Sequence, residues 1–555
     1  MDIRTLTGEL SVSPQLTLDD IHAAAEAGYR TLVCNRPDGE APDQPGFAEI
    51  ERRAAELGLQ ARYLPAEPGK VSMKQAAAFA RLMDECPKPV LAYCRSGLRS
   101  ATMWALSQAQ HMPLPRIVER GAEAGFDLKG VVRRIANGGR TPVEAADATH
   151  EVVIVGGGAA GIAVASSLLA RAPGLDIAII DPADVHYYQP GWTLVGGGVF
   201  GVADTARTIG AVLPRGVRWI KSAVAAFEPE RDAVVLDGCR VVKYRQLVVC
   251  PGLKLDWDAV EGLAESLGRH GVTSNYRYDL APYTWELVRG LRGGRAVFTQ
   301  PPMPIKCAGA PQKAMYLSAD HWRRSGVLQD IEIDFRSAGA ALFGVAAYVP
   351  ALMEYVERYG IHLHFGQTLV AVDGPAREAT FRRTAAEGTQ ETVRVGFDLL
   401  HAVPPQKAPD FVRASPLADA AGWVDVDAAT LRHKRLANVF ALGDVTNAPN
   451  AKTAAAARKQ APVLAHNLLA LRGLAQGEAR YDGYGSCPLT VERGKVVLAE
   501  FGYGGQLAPS FPKWLLDGTR PSRLAWYLKE RILPPLYWQG MLKGREWLAK
   551  PELVG

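Results

Sequence analysis

Residues 151–172 read EVVIVGGGAAGIAVASSLLARA, and no other stretch restricts the chain as tightly. A short apolar run ends in Gly156, Gly158 and Gly161 at G-x-G-x-x-G spacing, and a helical pattern follows. Asp181 then closes the next apolar run, LDIAIID, 20 residues after the last glycine. A strand that turns sharply into a helix uses this order. The glycines permit the turn and let a pyrophosphate approach the backbone, the helix N-terminus meets its charge, and the carboxylate takes a ribose hydroxyl. The expected fold is α/β, with a Rossmann-type sheet binding a dinucleotide.

Two later stretches decide which dinucleotide. IEIDFRSAGAALFGVAAY (331–348) follows the pattern of a second nucleotide-binding half but keeps only Gly339 and Gly344. The double-glycine turn at the strand end is missing, so a Rossmann-like half without a nicotinamide site is expected. NVFALGDVTN (438–447) places Gly443 and Asp444 after an apolar strand, and AKTAAAARKQAPVLAHNLL continues as a helix. A carboxylate there suits a flavin ribityl chain, and the helix N-terminus suits the pyrimidine end of the ring. FAD is therefore expected in the first site, with Lys452 steadying negative charge on the reduced ring.

A chain of 555 residues exceeds one core and suggests two to four domains. The formal charge of +5 is small for this length, and no basic stripe interleaves with aromatics, which argues against nucleic acid as a partner. The start, MDIRTLTGELSVSPQ, has no basic-then-apolar export pattern, so a cytoplasmic protein is expected, peripheral on the inner face of the cytoplasmic membrane. The uncharged runs 187–203 and 337–353 are too short and too broken by Gly or Pro to span a bilayer. Seven cysteines (34, 86, 94, 239, 250, 307 and 487) form no Cys-x-x-Cys pair and no zinc-like spacing, so no metal is expected.

Before the fingerprint, residues 1–136 alternate helical stretches such as LDDIHAAAEAG with the short apolar runs YRTLVC, QARYLP and KPVLAY, the pattern of a small α/β domain. AYCRSGLRS (92–100) joins the last of these strands to a helix. The helix N-terminus together with Arg95 and Arg99 predicts a partly exposed, acidified thiol at Cys94. Residues 137–150 lack an apolar face and are expected to be a linker. The flavoprotein is expected over 151–505, with FAD-binding halves at about 151–290 and 400–470 and the second Rossmann-like half at about 291–399.

The last segment, 506–555, holds four of the eleven tryptophans (514, 526, 538 and 547). From Lys513 to Lys550 it carries eight Lys/Arg against three Asp/Glu. Aromatic anchors beside basic residues at helical spacing, interrupted at Pro534 and Pro535, suit helices lying in the headgroup plane of a membrane.

The strings HYYQPGWTLVGGG, PIKCAGAPQKAMYLS, ASPLADAAGWVDVDAATLRH, ALGDVTN, KTAAAA and YDGYGSCPLTVERGKVVLAEF resemble the sulfide:quinone oxidoreductases, especially the branch with the mitochondrial enzyme. The resemblance implies FAD, sulfide as electron donor, a membrane quinone such as ubiquinone as acceptor, and a cysteine carrying sulfane sulfur. Cys307 matches that sulfur carrier, and Lys306 and Lys313 make its surroundings electropositive. Hydrosulfide is expected to attack an oxidised sulfur held at Cys307, and the sulfane sulfur to leave to a small thiol, sulfite or Cys94. A second redox cysteine is expected after Gly443-Asp444, where this chain has Val445. Cys250 is the substitute considered, although a core thiol suits it better, and Cys487 is expected to be structural.

The first domain, including LVCNRPDGE (32–40), resembles small proteins of tyrosine-phosphatase-like fold. Its six-residue Cys94–Arg99 loop has rhodanese character, so persulfide transfer is expected over phosphatase chemistry. Asp38 is either a general acid or a turn-former. The competing expectations are a type II NADH:quinone dehydrogenase-like flavoenzyme and a flavin-bearing sulfide sensor with a phosphatase-like domain. A homo-oligomer is compatible with the sequence.

Overall fold

The computed structural model describes residues 2–554 except 43, 68–70, 110, 129–130, 132–147, 237–240 and 385–388. Most of the expected linker, 137–147, lies outside the described residues. The chain divides into two compact units, Met1–Thr141 and Pro142–Gly555.

The first unit is a five-stranded sheet in the order β1 (Arg4–Thr7), β2 (Leu10–Ser13), β5 (Val90–Tyr93), β3 (Thr31–Cys34), β4 (Gln60–Tyr63). Only the β1–β2 pair is antiparallel. Helices cover both faces, so β3 and β5 are buried at every position instead of alternating. Val33, Val90 and Ala92 pack with Phe79 and Trp104 on one face, while Leu32, Leu91 and Tyr93 pack with Ile21 and Ile50 on the other. The helices Leu18–Glu26 and Met73–Glu85 start at reciprocal capping boxes, Thr17 with Asp20 and Ser72 with Gln75.

In the second unit β6 (Thr149–Val155) lies between β7 (Ile177–Ile180) and the strand Val241–Val249, which also pairs in parallel with Val439–Ala441. Thr149 and His150 pair with Lys243 and Tyr244, so the strand begins inside the stretch expected to be linker. The helices Ala159–Arg171 and Ala454–Leu471 share one apolar cluster through Ile162, Ala165, Leu168, Leu464 and Leu468. A second, all-parallel sheet has the central strand Gly294–Gln300 beside Ile331–Ser337 and Leu399–His401. It also takes in Val272–Thr273, from the segment expected to belong to the first half.

Two late elements complete this unit. The hairpin Gly485–Glu492/Lys495–Phe501 packs Cys487, Leu489, Val497 and Ala499 into the same cluster as Ala314 and Met315 of the helix Ala310–Ser325. Helical backbone then runs without a break from Arg523 to Lys543, passing through Pro534 and Pro535. Wide π-turns at Leu528–Ile532 and Leu536–Gly540 flank the prolines and accommodate their missing N–H groups. Tyr537, Trp538 and Met541 thereby join the core of the first half. Among the described residues no helix is long and apolar enough to cross a membrane.

Candidate active site

Two cysteines and two lysines from three distant segments meet in one cluster. Cys307 precedes the helix Ala310–Ser325 at φ 50°, a left-handed conformation rare for a residue with a side chain. The neighbours fix that backbone. The Cys307 amide donates to the Lys452 carbonyl at 2.8 Å, and the Tyr276 hydroxyl lies 3.1 Å from the Lys306 carbonyl and 3.3 Å from that of Cys307.

Its sulfur faces Cys487, Sγ to Sγ 3.6 Å, and accepts from the Lys313 ammonium at 3.1 Å. Gly309 makes the approach possible, since a Cβ there would lie 2.5 Å from the Cys487 sulfur. The expectation that Cys487 is structural is therefore corrected: the hairpin delivers it to Cys307. Cys250 packs instead behind the glycine loop, its Sγ 3.6 Å from the Gly156 carbonyl, and burial pushes its thiol up. Val445 is buried among Val424, Val439 and Ala441.

The two thiols divide one charge between them. The Cys487 S–H donating to Cys307 outweighs burial, and with Lys313 it holds Cys307 well below the ordinary thiol range; Cys487 is driven well above it. Burial pulls Lys313 down, but the two sulfurs more than reverse this and keep it firmly protonated. Lys529, buried in the C-terminal helix, is lowered to about 7 by burial and by Lys313, against the pull of the sulfurs. Sequence reasoning missed Lys529 because a lysine in an exposed-looking basic helix gives no local sign of facing inward.

The glycines and acids singled out in sequence take up a tight strand-to-helix turn. A Cβ at Gly161 would meet the Gly156 carbonyl at 1.8 Å, and one at Gly156 would meet that of Cys250 at 2.4 Å, whereas Gly158 faces open space at the helix start. Asp181 accepts from the Gly157 and Ala183 amides at 2.5 and 2.7 Å, which shapes the loop. Gly443 has φ 77°, and Asp444 is half-buried, its carboxyl raised by desolvation against the pull of Lys452 and Lys306. Beside Lys306, Gln406 Nε2 and Trp192 Nε1 are buried without a hydrogen-bond partner among the described residues, which fits a heteroatom-bearing ring bound there.

Lys452 is tied to the backbone around it. Its ammonium donates to the carbonyls of Asp444 and Thr446, both at 2.8 Å, and burial lowers it to about 8. It pins the Gly443–Val445 turn to the Cys307 loop. Burial likewise lowers Lys306 to about 8, and its ammonium reaches Gln189 Oε1 at 2.7 Å.

In the first unit Cys94 ends the central strand and is 1% exposed, against the expected partial exposure, because that strand end is covered. Gly97 turns the loop at φ 85° into the helix Leu98–Ser107. Arg99 donates to the Ala66 carbonyl at 2.8 Å and pairs with Glu40 at 2.7 Å; Arg36 pairs with the same carboxylate oxygen at 2.5 Å. Glu40 was not picked out by sequence reasoning. Asp38 accepts from the Phe47 amide at 2.9 Å, at the first residue of the helix Phe47–Glu56.

Comparison with known proteins agrees with this division. Residues 2–111 match the family model described as beta-lactamase hydrolase-like protein, phosphatase-like domain, and residues 150–282 match pyridine nucleotide-disulphide oxidoreductase. The mitochondrial sulfide:quinone oxidoreductase of Dictyostelium discoideum is 42% identical over 406 residues, covering 73% of this chain and 88% of the relative. That of Mus musculus is 38% identical over 395 residues, covering 71% and 87%. The solved sulfide:quinone oxidoreductase of Aquifex aeolicus shares the fold at a TM-score of 0.60 and 18% identity, covering 72% of this chain and 92% of that one. The two relatives are mitochondrial, which overturns the expected placement on the inner face of the cytoplasmic membrane. That expectation rested on a missing export pattern, which separates secretion from its absence and nothing finer.

Proposed function

The chain belongs to the sulfide:quinone oxidoreductase family, and from that premise we propose how its own residues carry the reaction. It is a flavin-dependent oxidoreductase with sulfide and quinone as substrates. The observation that carries the assignment is the Cys307–Cys487 pair, 3.6 Å apart with Lys313 at 3.1 Å.

With the pair oxidised to a disulfide, the better leaving group is the sulfur held as thiolate, Cys307. Hydrosulfide therefore attacks the Cys487 sulfur. An S–S bond forms between the incoming sulfur and Cys487, the Cys307–Cys487 bond breaks, and its electron pair stays on Cys307. Lys313 and Lys529 stabilise that thiolate. A small thiolate or sulfite then takes the outer sulfur from Cys487, leaving two thiolates that close to the disulfide again as an electron pair departs. FAD, held by Gly156, Gly158, Gly161 and Asp181 at its phosphates and ribose and by Gly443 and Asp444 at its ribityl chain, would supply the two-electron acceptor that passes the pair to quinone.

The C-terminal segment is proposed as the membrane-facing surface through which quinone enters. Trp514 is 85% exposed, and Leu515, Tyr527, Ile532, Trp547 and Leu548 are also exposed. Lys513, Arg520 and Arg531 lie among them, also turned outward. The first unit is proposed to be a sulfurtransferase working through a persulfide on Cys94, cradled by the first-turn amides of Leu98–Ser107, with Arg99 fixing the loop.

Under anaerobic conditions excess sulfide should bleach the flavin of the intact protein within the mixing experiment, and NADH should leave it yellow. Cys307→Ser should abolish the response to sulfide; full bleaching in that variant would remove the assignment. For the first unit, Cys94→Ser in the full chain should lose thiosulfate:cyanide sulfur transfer, and hydrolysis of p-nitrophenyl phosphate without such transfer would overturn that part.

A further inference from the structure

We infer that His186 is a positioning residue for the dinucleotide: it holds the Gly157 carbonyl so that the next amide, that of Gly158, points at the pyrophosphate, and Tyr537 of the C-terminal segment holds His186. The role rests on the FAD reading proposed above. His186 and Tyr537 are 4% and 5% exposed and stand 351 residues apart in sequence. The imidazole Nδ1 lies 3.3 Å from the Gly157 carbonyl oxygen, and Nε2 lies 2.7 Å from the Tyr537 hydroxyl. A carbonyl only accepts, so Nδ1 carries the proton and donates it to Gly157, and Nε2 accepts from the Tyr537 O–H. Burial lowers His186 to about 4 against the pull of the Gly157 carbonyl, and burial pushes the Tyr537 hydroxyl up, so at neutral pH the ring is uncharged and the phenol keeps its proton.

Peptide geometry gives that hydrogen bond its use. The Gly157 carbonyl and the Gly158 N–H belong to one planar trans peptide unit, in which they point in opposite directions. Gly157 is buried and its carbonyl faces His186. Gly158 is exposed, a Cβ there would meet nothing within 4 Å, and its amide has no hydrogen-bond partner among the described residues. The amide is thus turned to the open side of the loop, at the start of the helix Ala159–Arg171, where unpaired N–H groups favour a phosphate. Glycines on both sides of this peptide leave it soft, so its direction needs a tie. Asp181 supplies one at the Gly157 amide, at 2.5 Å, and His186 supplies the other at the Gly157 carbonyl.

The C-terminal helical run seats Tyr537. The wide turn Leu536–Gly540 sets its ring 4.8 Å from that of Tyr188 and brings Trp538 edge-on to His186 at 5.7 Å, with Arg207 over the Trp538 ring at 4.5 Å. Farther along, the Leu542 carbonyl accepts from the Ser166 hydroxyl at 2.8 Å and the Glu546 carboxylate from that of Ser167 at 2.7 Å, both on the helix that follows the glycines. The same segment therefore grips the glycine loop through His186 and the helix behind it through the two serines.

The test uses the full-length holoenzyme, with FAD release after dilution followed by the return of flavin fluorescence and the bound pyrophosphate followed by phosphorus NMR. His186→Leu, which removes both hydrogen bonds, should release FAD about tenfold faster or more and should move the phosphorus resonances of the bound cofactor. In His186→Gln the side-chain amide donates to the carbonyl and accepts from the phenol, so release should stay within about twofold of wild type and the resonances should stay in place. Tyr537→Phe keeps its ring but leaves the imidazole tautomer unfixed, and its release rate should fall between the two. Wild-type release and unmoved resonances in His186→Leu would overturn the inference. Faster release with unmoved resonances would do so as well, because the loss would then come from general loosening. Equal loss in His186→Gln and His186→Leu would also overturn it. A wild-type protein that neither carries nor rebinds FAD would sink the cofactor reading instead. If His186→Leu does not fold, Tyr537→Phe decides, and release no faster than wild type from that variant overturns the inference.

Discussion

Lys313→Met removes the ammonium that donates to the Cys307 sulfur at 3.1 Å while filling nearly the same buried volume. At that distance, 332/(20 × 3.1) gives about 5 kcal/mol of attraction for an effective dielectric constant of about 20, an upper bound because burying the ammonium opposes it. A hydrogen bond to a charged group contributes about 1.5–3 kcal/mol net, which corresponds to roughly ten- to a hundred-fold less thiolate at a fixed pH. The sign follows from the charge. Without the cation the thiolate is disfavoured, so a higher pH is needed to form it. The assay is iodoacetamide labelling of Cys307 in the pre-reduced holoenzyme, followed across pH by peptide mass spectrometry. Labelling at neutral pH should fall about tenfold or more, with the half-labelling pH moving upward, and sulfide bleaching should slow in parallel because Cys307 becomes the poorer leaving group. An unchanged or lower half-labelling pH would show that Lys313 does not set the acidity of Cys307.

Cys487→Ser should abolish sulfide-driven bleaching as completely as Cys307→Ser, whereas Cys250→Ser should stay within about twofold of wild type and Val445→Cys should not rescue Cys487→Ser; stopped-flow traces of the four variants decide. Gly161→Ala, whose Cβ would lie 1.8 Å from the Gly156 carbonyl, should purify largely without flavin, read from the ratio of visible to ultraviolet absorbance. Lys529→Met should stabilise the fold below pH 7 and lose that gain toward pH 10. The unfolded amine titrates near 10.5 and the folded one at about 7, so between these values the unfolded chain binds the extra proton and native stability falls as pH falls. The gain has a ceiling of about 5 kcal/mol, from about 1.36 kcal/mol per pH unit. Urea midpoints at pH 6 and pH 10 should differ from wild type at the first and coincide at the second.

Much of this protein is legible locally. The strand-glycine-helix order at 151–181, the Gly443-Asp444 turn and the Cys94 loop are contiguous patterns whose chemistry depends on neighbours in sequence, and each stands in the structure where its spacing placed it. The same locality explains what stayed hidden. Cys307 and Cys487 are 180 residues apart and meet only because a hairpin packs against the helix Ala310–Ser325 and Gly309 leaves room for a sulfur. Nothing in the periodicity of GSCPLTVE distinguishes a redox thiol from a core residue. Lys529 and Glu40 are likewise ordinary charged residues in sequence, and burial against partners from distant segments is what gives each its charge state or its hydrogen bonds. Even Pro534 and Pro535, which signal a break locally, are carried through by π-turns that packing on the flavoprotein core holds in place. Contiguous spacing was enough to mark the Rossmann-type turn, and the PIKCAGAPQK string to single out Cys307. Tertiary packing alone decided the second sulfur and the cations around the pair, because acidity and reactivity depend on distances in space that no local pattern encodes.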